Sequence, residues 1–128
     1  MTMENRPLSP FLTIYRPQST SVLSILHRVC GVIIALGAVL LAWWILAAAA
    51  GPASYEAMRS FFASWFGRLL LGVFSYAVVY HLCAGVRHLI WDAAWMLEKE
   101  QVNASGWAMF AIANILFLAV WGVGYACR

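Results

Sequence analysis

The chain has 128 residues, of which 64% are hydrophobic and only 10% charged. Ordinary soluble domains carry about 25% charged residues, and a domain this small buries only about two-thirds of its unfolded surface. A mean hydropathy of +0.81 therefore excludes a soluble globular domain, a disordered chain and a nucleic-acid-binding module. The net charge of +3 is spread along the chain and makes no phosphate-binding patch.

At about 20 apolar residues per bilayer crossing, the length allows three spans, or four at most. No soluble catalytic domain fits beside them, so no catalytic residue is assigned. The expected fold is an all-α membrane protein with three transmembrane helices.

In chain order, residues 1–20 read as a polar arm in which Pro7, Pro10 and Pro17 discourage helix. The arm lacks an apolar core and a cleavage site, so no removable signal is expected there. Ser19, Thr20 and Ser21 are candidate N-caps. The first helix is expected over 21–50, around 23 uncharged residues at 29–51, and Gly51-Pro52 ends it. Residues 52–61 read as a short connection. The second helix is expected over 62–97, with an uncharged centre at 69–86 bracketed by Arg68 and Arg87. A loop at 98–106 precedes a third helix over 107–127. Trp43, Trp44, Trp65, Trp91, Trp95 and Trp107 fall towards the helix ends, as in an aromatic belt. Arg6, Arg16, Arg28, Arg87 and Lys99 lie on one side of this layout; Arg59, Arg68 and Arg128 lie on the other. Five basic residues against three place the N-terminus inside. Cys30, Cys83 and Cys127 read as small apolar residues, and no motif for covalent haem attachment is present.

Chemistry concentrates in the histidines. His81 lies well inside an apolar span, about 9 Å along the axis from Arg87. Ionisable groups at that depth are usually functional, and imidazole is a common axial donor to haem iron. The alternative is a histidine bonded to a neighbouring helix. His81, Ala84, Gly85 and His88 recur at i, i+3, i+4 and i+7 on one face. Ala84 and Gly85 would leave a flat slot for a porphyrin, although small residues also serve close helix packing. His88 is too far along the helix to share an iron with His81, but it and Arg87 can reach a propionate. His27, at the membrane edge, is a poor second axial ligand, so that ligand is expected from another chain. His27, Arg28, Arg87 and His88 share one interface level suited to propionates.

Ser24, His27, Arg28 and Gly31 form a second face at the same spacing. A hydroxyl, an imidazole and a guanidinium there can hold a polar quinone head while its tail stays in lipid; an ordinary first helix turn with an interface arginine is the alternative. Asp92 can pair with Arg87 or His88 at the membrane edge, and Asn114 is expected to bond between helices.

Two stretches carry a family resemblance. Arg6-Pro7-Leu8-Ser9-Pro10, followed by Ser24 to Gly31 reading SILHRVCG, is similar to the pattern RP…SxxHRx[S/T]G. Residues 81–92, HLCAGVRHLIWD, fit Hx3GxRHxxxD. With the three-span layout, the chain resembles the cytochrome b556 membrane-anchor family of succinate dehydrogenase (succinate:quinone oxidoreductase). Cys30 departs from the usual Ser or Thr, and Phe11 stands where many members have His.

The resemblance implies several roles. His81 would be an axial ligand of a b-type haem shared with a second membrane-anchor subunit, the two anchors forming one bundle. Ser24 and Arg28 would bind ubiquinone. His27, Arg87 and His88 would meet the haem propionates. An iron–sulfur subunit and a flavoprotein subunit would be the soluble partners in a bacterial inner (cytoplasmic) membrane, with the N-terminus cytoplasmic. A fumarate reductase anchor and a haem-free structural bundle are the competing readings.

Overall fold

The computed structural model describes residues 16–127. Most of the polar arm, including Arg6, Pro7, Pro10 and Phe11, lies outside the described residues, as does Arg128. The described chain is α-helical: α1 Ser19–Ala50, α2 Pro52–Ala63, α3 Trp65–Asp92 and α4 Lys99–Ala126. Among the described residues α1, α3 and α4 are the three helices long and apolar enough to cross a membrane. The 32 residues of α1 extend about 48 Å, more than the roughly 30 Å of hydrocarbon. Its ends therefore reach the polar interface.

The helix boundaries depart from the sequence reading, most at three places; in addition α1 starts at Ser19 rather than 21 and α3 at Trp65 rather than 62. Residues 52–63 are a helix rather than a connection. Gly51 turns the chain with φ of 118°, in the region that favours glycine. Pro52 then takes the first position of α2, where its missing N–H costs nothing. The α2–α3 corner is tight. Ser64 caps α3, its Oγ accepting from Gly67 N at 3.1 Å and donating to Phe61 O at 2.6 Å. Gly67 is required there, since a Cβ would lie 2.2 Å from Phe61 O. At its other end α3 stops at Asp92, not at 97. Ala94 and Met96 adopt φ of 59° and 58°, a left-handed turn made without glycine. Helix α4 begins at Lys99, eight residues before the expected 107, because the polar segment KEQVNASG is already helical. Glu100 in its first turn suits the positive end of the helix dipole. The expected caps Ser19–Ser21 give way to Gln18, which makes no side-chain cap bond.

α3 runs antiparallel between α1 and α4 and packs against both. The core is built from small residues, as expected where lipid supplies no hydrophobic drive between helices. Cys30, Ala77, Ala84 and Ala113 are buried together with Leu23, Met109 and Tyr80. Tyr80 is 1% exposed, and its hydroxyl donates to Leu23 O on α1 at 3.1 Å. In mid-bundle, Trp121 Nε1 donates to Ser75 Oγ at 2.8 Å, tying α4 to α3. Asn114 donates to Phe110 O one turn back in its own helix at 2.7 Å, and its side chain also meets Tyr76 of α3. Large side chains such as Ile25, Val32, Leu36 and Val39 face outward from α1.

Candidate functional site

The start of α1, the last three turns of α3 and the start of α4 meet at one end of the bundle. Ser19 Oγ donates to Asn103 Oδ1 across α1 and α4 at 2.7 Å. Two groups of predicted site residues meet here, and they face different neighbours.

The first group is the imidazoles. His81 lies against α1, its Cε1 atom 3.4 Å from where a Cβ on Gly31 would sit. Its Nδ1 is 3.2 Å from the backbone oxygen of His27. A carbonyl oxygen only accepts, so a neutral His81 carries its proton on Nδ1. Its Nε2 then keeps the lone pair, which is the arrangement that orients a histidine as a metal ligand. The His27 ring packs between the other two, with centroids 4.1 Å from His81 and 5.2 Å from His88. His27 Nε2 is buried and has no hydrogen-bond partner among the described residues. An orphaned polar atom at such depth calls for a polar group from outside. The three rings lie side by side rather than converge, His27 tilted 38° against His81 and stacked on His88: among the described residues no three His, Cys, Asp or Glu side chains form a metal cage. An iron that arrives with its own equatorial ligands fits this donor set; a bare ion does not.

The slot expected beside His81 is divided. Gly85 is open, with no atom of another described residue, its chain neighbours and own helix backbone aside, within 4 Å of where a methyl group there would sit. Ala84, however, is 3% exposed and belongs to the core between helices. The open part of this face is therefore on the Gly85 and His88 side.

The second group is built on Arg87, and it faces α4. Arg87 is 8% exposed. Its Nε donates to Ser105 Oγ at 3.1 Å and its Nη2 to Val102 O at 2.6 Å. The guanidinium lies 3.9 Å from the Trp91 ring centre, and the His88 ring meets the same indole edge-on at 5.1 Å. Arg87 thus joins α3 to α4, and the structure does not bring it to the imidazole face. Asp92 is exposed at the last position of α3 and makes no ion pair among the described residues. The sequence reading missed Ser105, Val102 and Trp91 as partners of Arg87. Only Trp91 had a signal, since it lies four residues on and therefore over the same turn.

Ser24 and Arg28 stand one turn apart on the outer face of α1, both exposed. Neither makes a side-chain hydrogen bond with another described residue, so both are available to a partner or ligand. Gly31 of the same motif is taken up by His81.

The family model for the succinate dehydrogenase/fumarate reductase transmembrane subunit matches residues 2–120. The succinate dehydrogenase cytochrome b556 subunit of Rickettsia typhi is 38% identical over 116 residues, covering 91% of this chain and 90% of that protein. That of Paracoccus denitrificans is 39% identical over 112 residues, 88% and 86% of the two chains. The cytochrome b560 subunit of Marchantia polymorpha is 39% identical over 122 residues, 89% and 87%. With similarity of this extent, a three-span helical fold and matching motifs at one end of it, the chain belongs to the family of succinate dehydrogenase/fumarate reductase transmembrane subunits.

Proposed function

We propose that this chain is the cytochrome b anchor of a succinate:ubiquinone oxidoreductase, binding one face of a b-type haem through His81 and part of a ubiquinone through Ser24 and Arg28. The observation that carries the haem assignment is the bond from His81 Nδ1 to the His27 carbonyl, which leaves Nε2 as the donor atom. The orphaned Nε2 of His27 and the exposed ring of His88 stand where propionates would be held. Arg87 contributes to this end as a helix clamp and presents Trp91 to His88 rather than its own charge. A second ligand to the iron would come from another membrane-anchor subunit, because the His27 ring lies tilted against His81 at 4.1 Å rather than opposite it. The outward apolar side chains of α1 suit both lipid and that partner.

When bound, a b haem supplies one-electron storage. The chain's own residues orient the axial imidazole and hold the quinone head. The Ser24 hydroxyl donates to a quinone oxygen, and the Arg28 guanidinium favours negative charge developing on it. The iron–sulfur and flavoprotein subunits oxidise succinate and deliver the electrons. They dock at the polar end of the bundle, which faces the cytoplasm of a bacterial cell together with the N-terminus.

The test is a reduced-minus-oxidised optical spectrum of the purified assembly with and without His81→Ala. The b-type α-band is expected to fall at least about tenfold, a loss of about 1.4 kcal/mol or more in haem binding, while the subunits stay together. A full band in an intact His81→Ala assembly would remove the ligand assignment.

A further inference from the structure

At the opposite end of the bundle a groove of about 700 Å³ opens between α1, α2 and α3. Its mouth carries Arg59 from α2 and Arg68 from the first turn of α3, with Tyr55 beside them. Its walls are apolar: Leu41 and Trp44 from α1 and Phe74 from α3. From Trp44 the α1 wall continues two turns to Gly37, about 10 Å along the helix axis. The groove is thus shaped as an amphiphile site, charged at the interface and apolar towards the middle of the bilayer.

The charge on the mouth selects the occupant. Arg68 is exposed and forms no ion pair among the described residues. Among the described residues Arg59 gives only Nη1, to Glu56 at 3.2 Å to each carboxylate oxygen, which leaves Nε and Nη2 available there. Glu56 is not part of the groove lining. Two guanidinium groups with spare donors match the oxygens of a phosphodiester, which accepts paired N–H bonds. A quinone head carries no formal charge for two guanidinium groups to balance, whereas a phosphodiester does. We propose that this groove binds one anionic glycerophospholipid, its phosphate held between Arg59 and Arg68 and one acyl chain lying along Leu41, Trp44 and Phe74. This site is separate from the histidine end and does not depend on the haem or quinone assignments.

Native mass spectrometry of the detergent-solubilised assembly tests it, with phosphatidylglycerol and phosphatidylcholine titrated separately. The wild type is expected to retain one more phosphatidylglycerol per chain than an Arg59→Gln/Arg68→Gln variant, with at least a tenfold loss of affinity for that one equivalent. Equal retention by wild type and variant overturns the proposal, as does phosphatidylcholine occupying the same equivalent equally well. Leu41→Trp fills the apolar track and leaves both charges in place. It is expected to lose the same equivalent, and unchanged retention overturns the proposal even if the double variant does not assemble. Haem content and succinate–quinone activity serve as the folding control for all variants.

Discussion

The two ends of this bundle are joined by different physics. At the histidine end the helices are tied by polar side chains: Ser19 to Asn103, Tyr80 to Leu23 O, His81 to His27 O, and Arg87 to Ser105 and Val102 O. At the α2 end they are joined mainly by shape, beside the Ser64 hydroxyl bonds at the α2–α3 corner. Gly67 lets the α2–α3 corner close, and the Phe74 ring lies over Gly37. Phe61 packs edge-on against Phe62 and Phe66. Polar groups are expensive next to lipid and persist where function needs them. Their concentration at one end fits the redox role proposed for it.

Substitutions at each end put this contrast at risk. Arg87→Leu removes a buried charge with two strong bonds and should cost about 3 kcal/mol of stability. Thermal unfolding of the solubilised assembly measures this, and Arg87→Lys should recover only part of it, since lysine cannot keep both bonds and the indole stack. At the other end Gly67→Ala forces a methyl onto backbone rather than onto a movable side chain. It should cost about 1–3 kcal/mol and leave the haem spectrum unchanged. A spectral change would mean that the ends are mechanically coupled. Next, Arg28→Leu should lower quinone reduction about tenfold, equivalent to about 1.4 kcal/mol of barrier. Ser24→Ala should act in the same direction but less strongly. Both should leave succinate oxidation by an artificial acceptor intact in the assembled enzyme. Equal loss of both activities would mean that the outer face of α1 serves assembly instead. The mildest change belongs to Trp121→Phe, which removes the bond to Ser75 in the middle of the bundle. Interhelical bonds in such settings average about 0.6 kcal/mol, and a loss above about 2 kcal/mol would show that this bond holds α4 in register.

The three spans were legible because long uncharged stretches such as 29–51 have one economical solution in a bilayer. Hydropathy, however, marks the membrane and not the ends of helices. It puts the start of α4 at Trp107 although the polar residues from Lys99 are already helical. It also carries α3 past Asp92, because the left-handed turn at Ala94 and Met96 uses no glycine or asparagine to announce it. The helix α2 had a readable signal, a proline directly after Gly51, which suits a first helical position as well as it suits a break. The histidine motifs were legible as spacing on one face. Their partners were not: the His27 carbonyl that orients His81 is a backbone atom, and the direction of Arg87 is decided by Ser105, eighteen residues away. Packing between helices divides a single helical face, so that Ala84 turns inward while Gly85 stays open.

The hold of α1 on His81 also bears on assembly kinetics and affinity. A long or ringed side chain that must be frozen when it captures a ligand loses about 0.5–1.5 kcal/mol of rotamer freedom at that moment. Here the imidazole is pinned beforehand, between the Gly31 backbone and the His27 carbonyl. That entropy is lost when α1 and α3 pack, before any ligand arrives. On the haem assignment proposed above, the folded hairpin is a preset receptor, and its affinity for the iron is set in part by how firmly two helices meet.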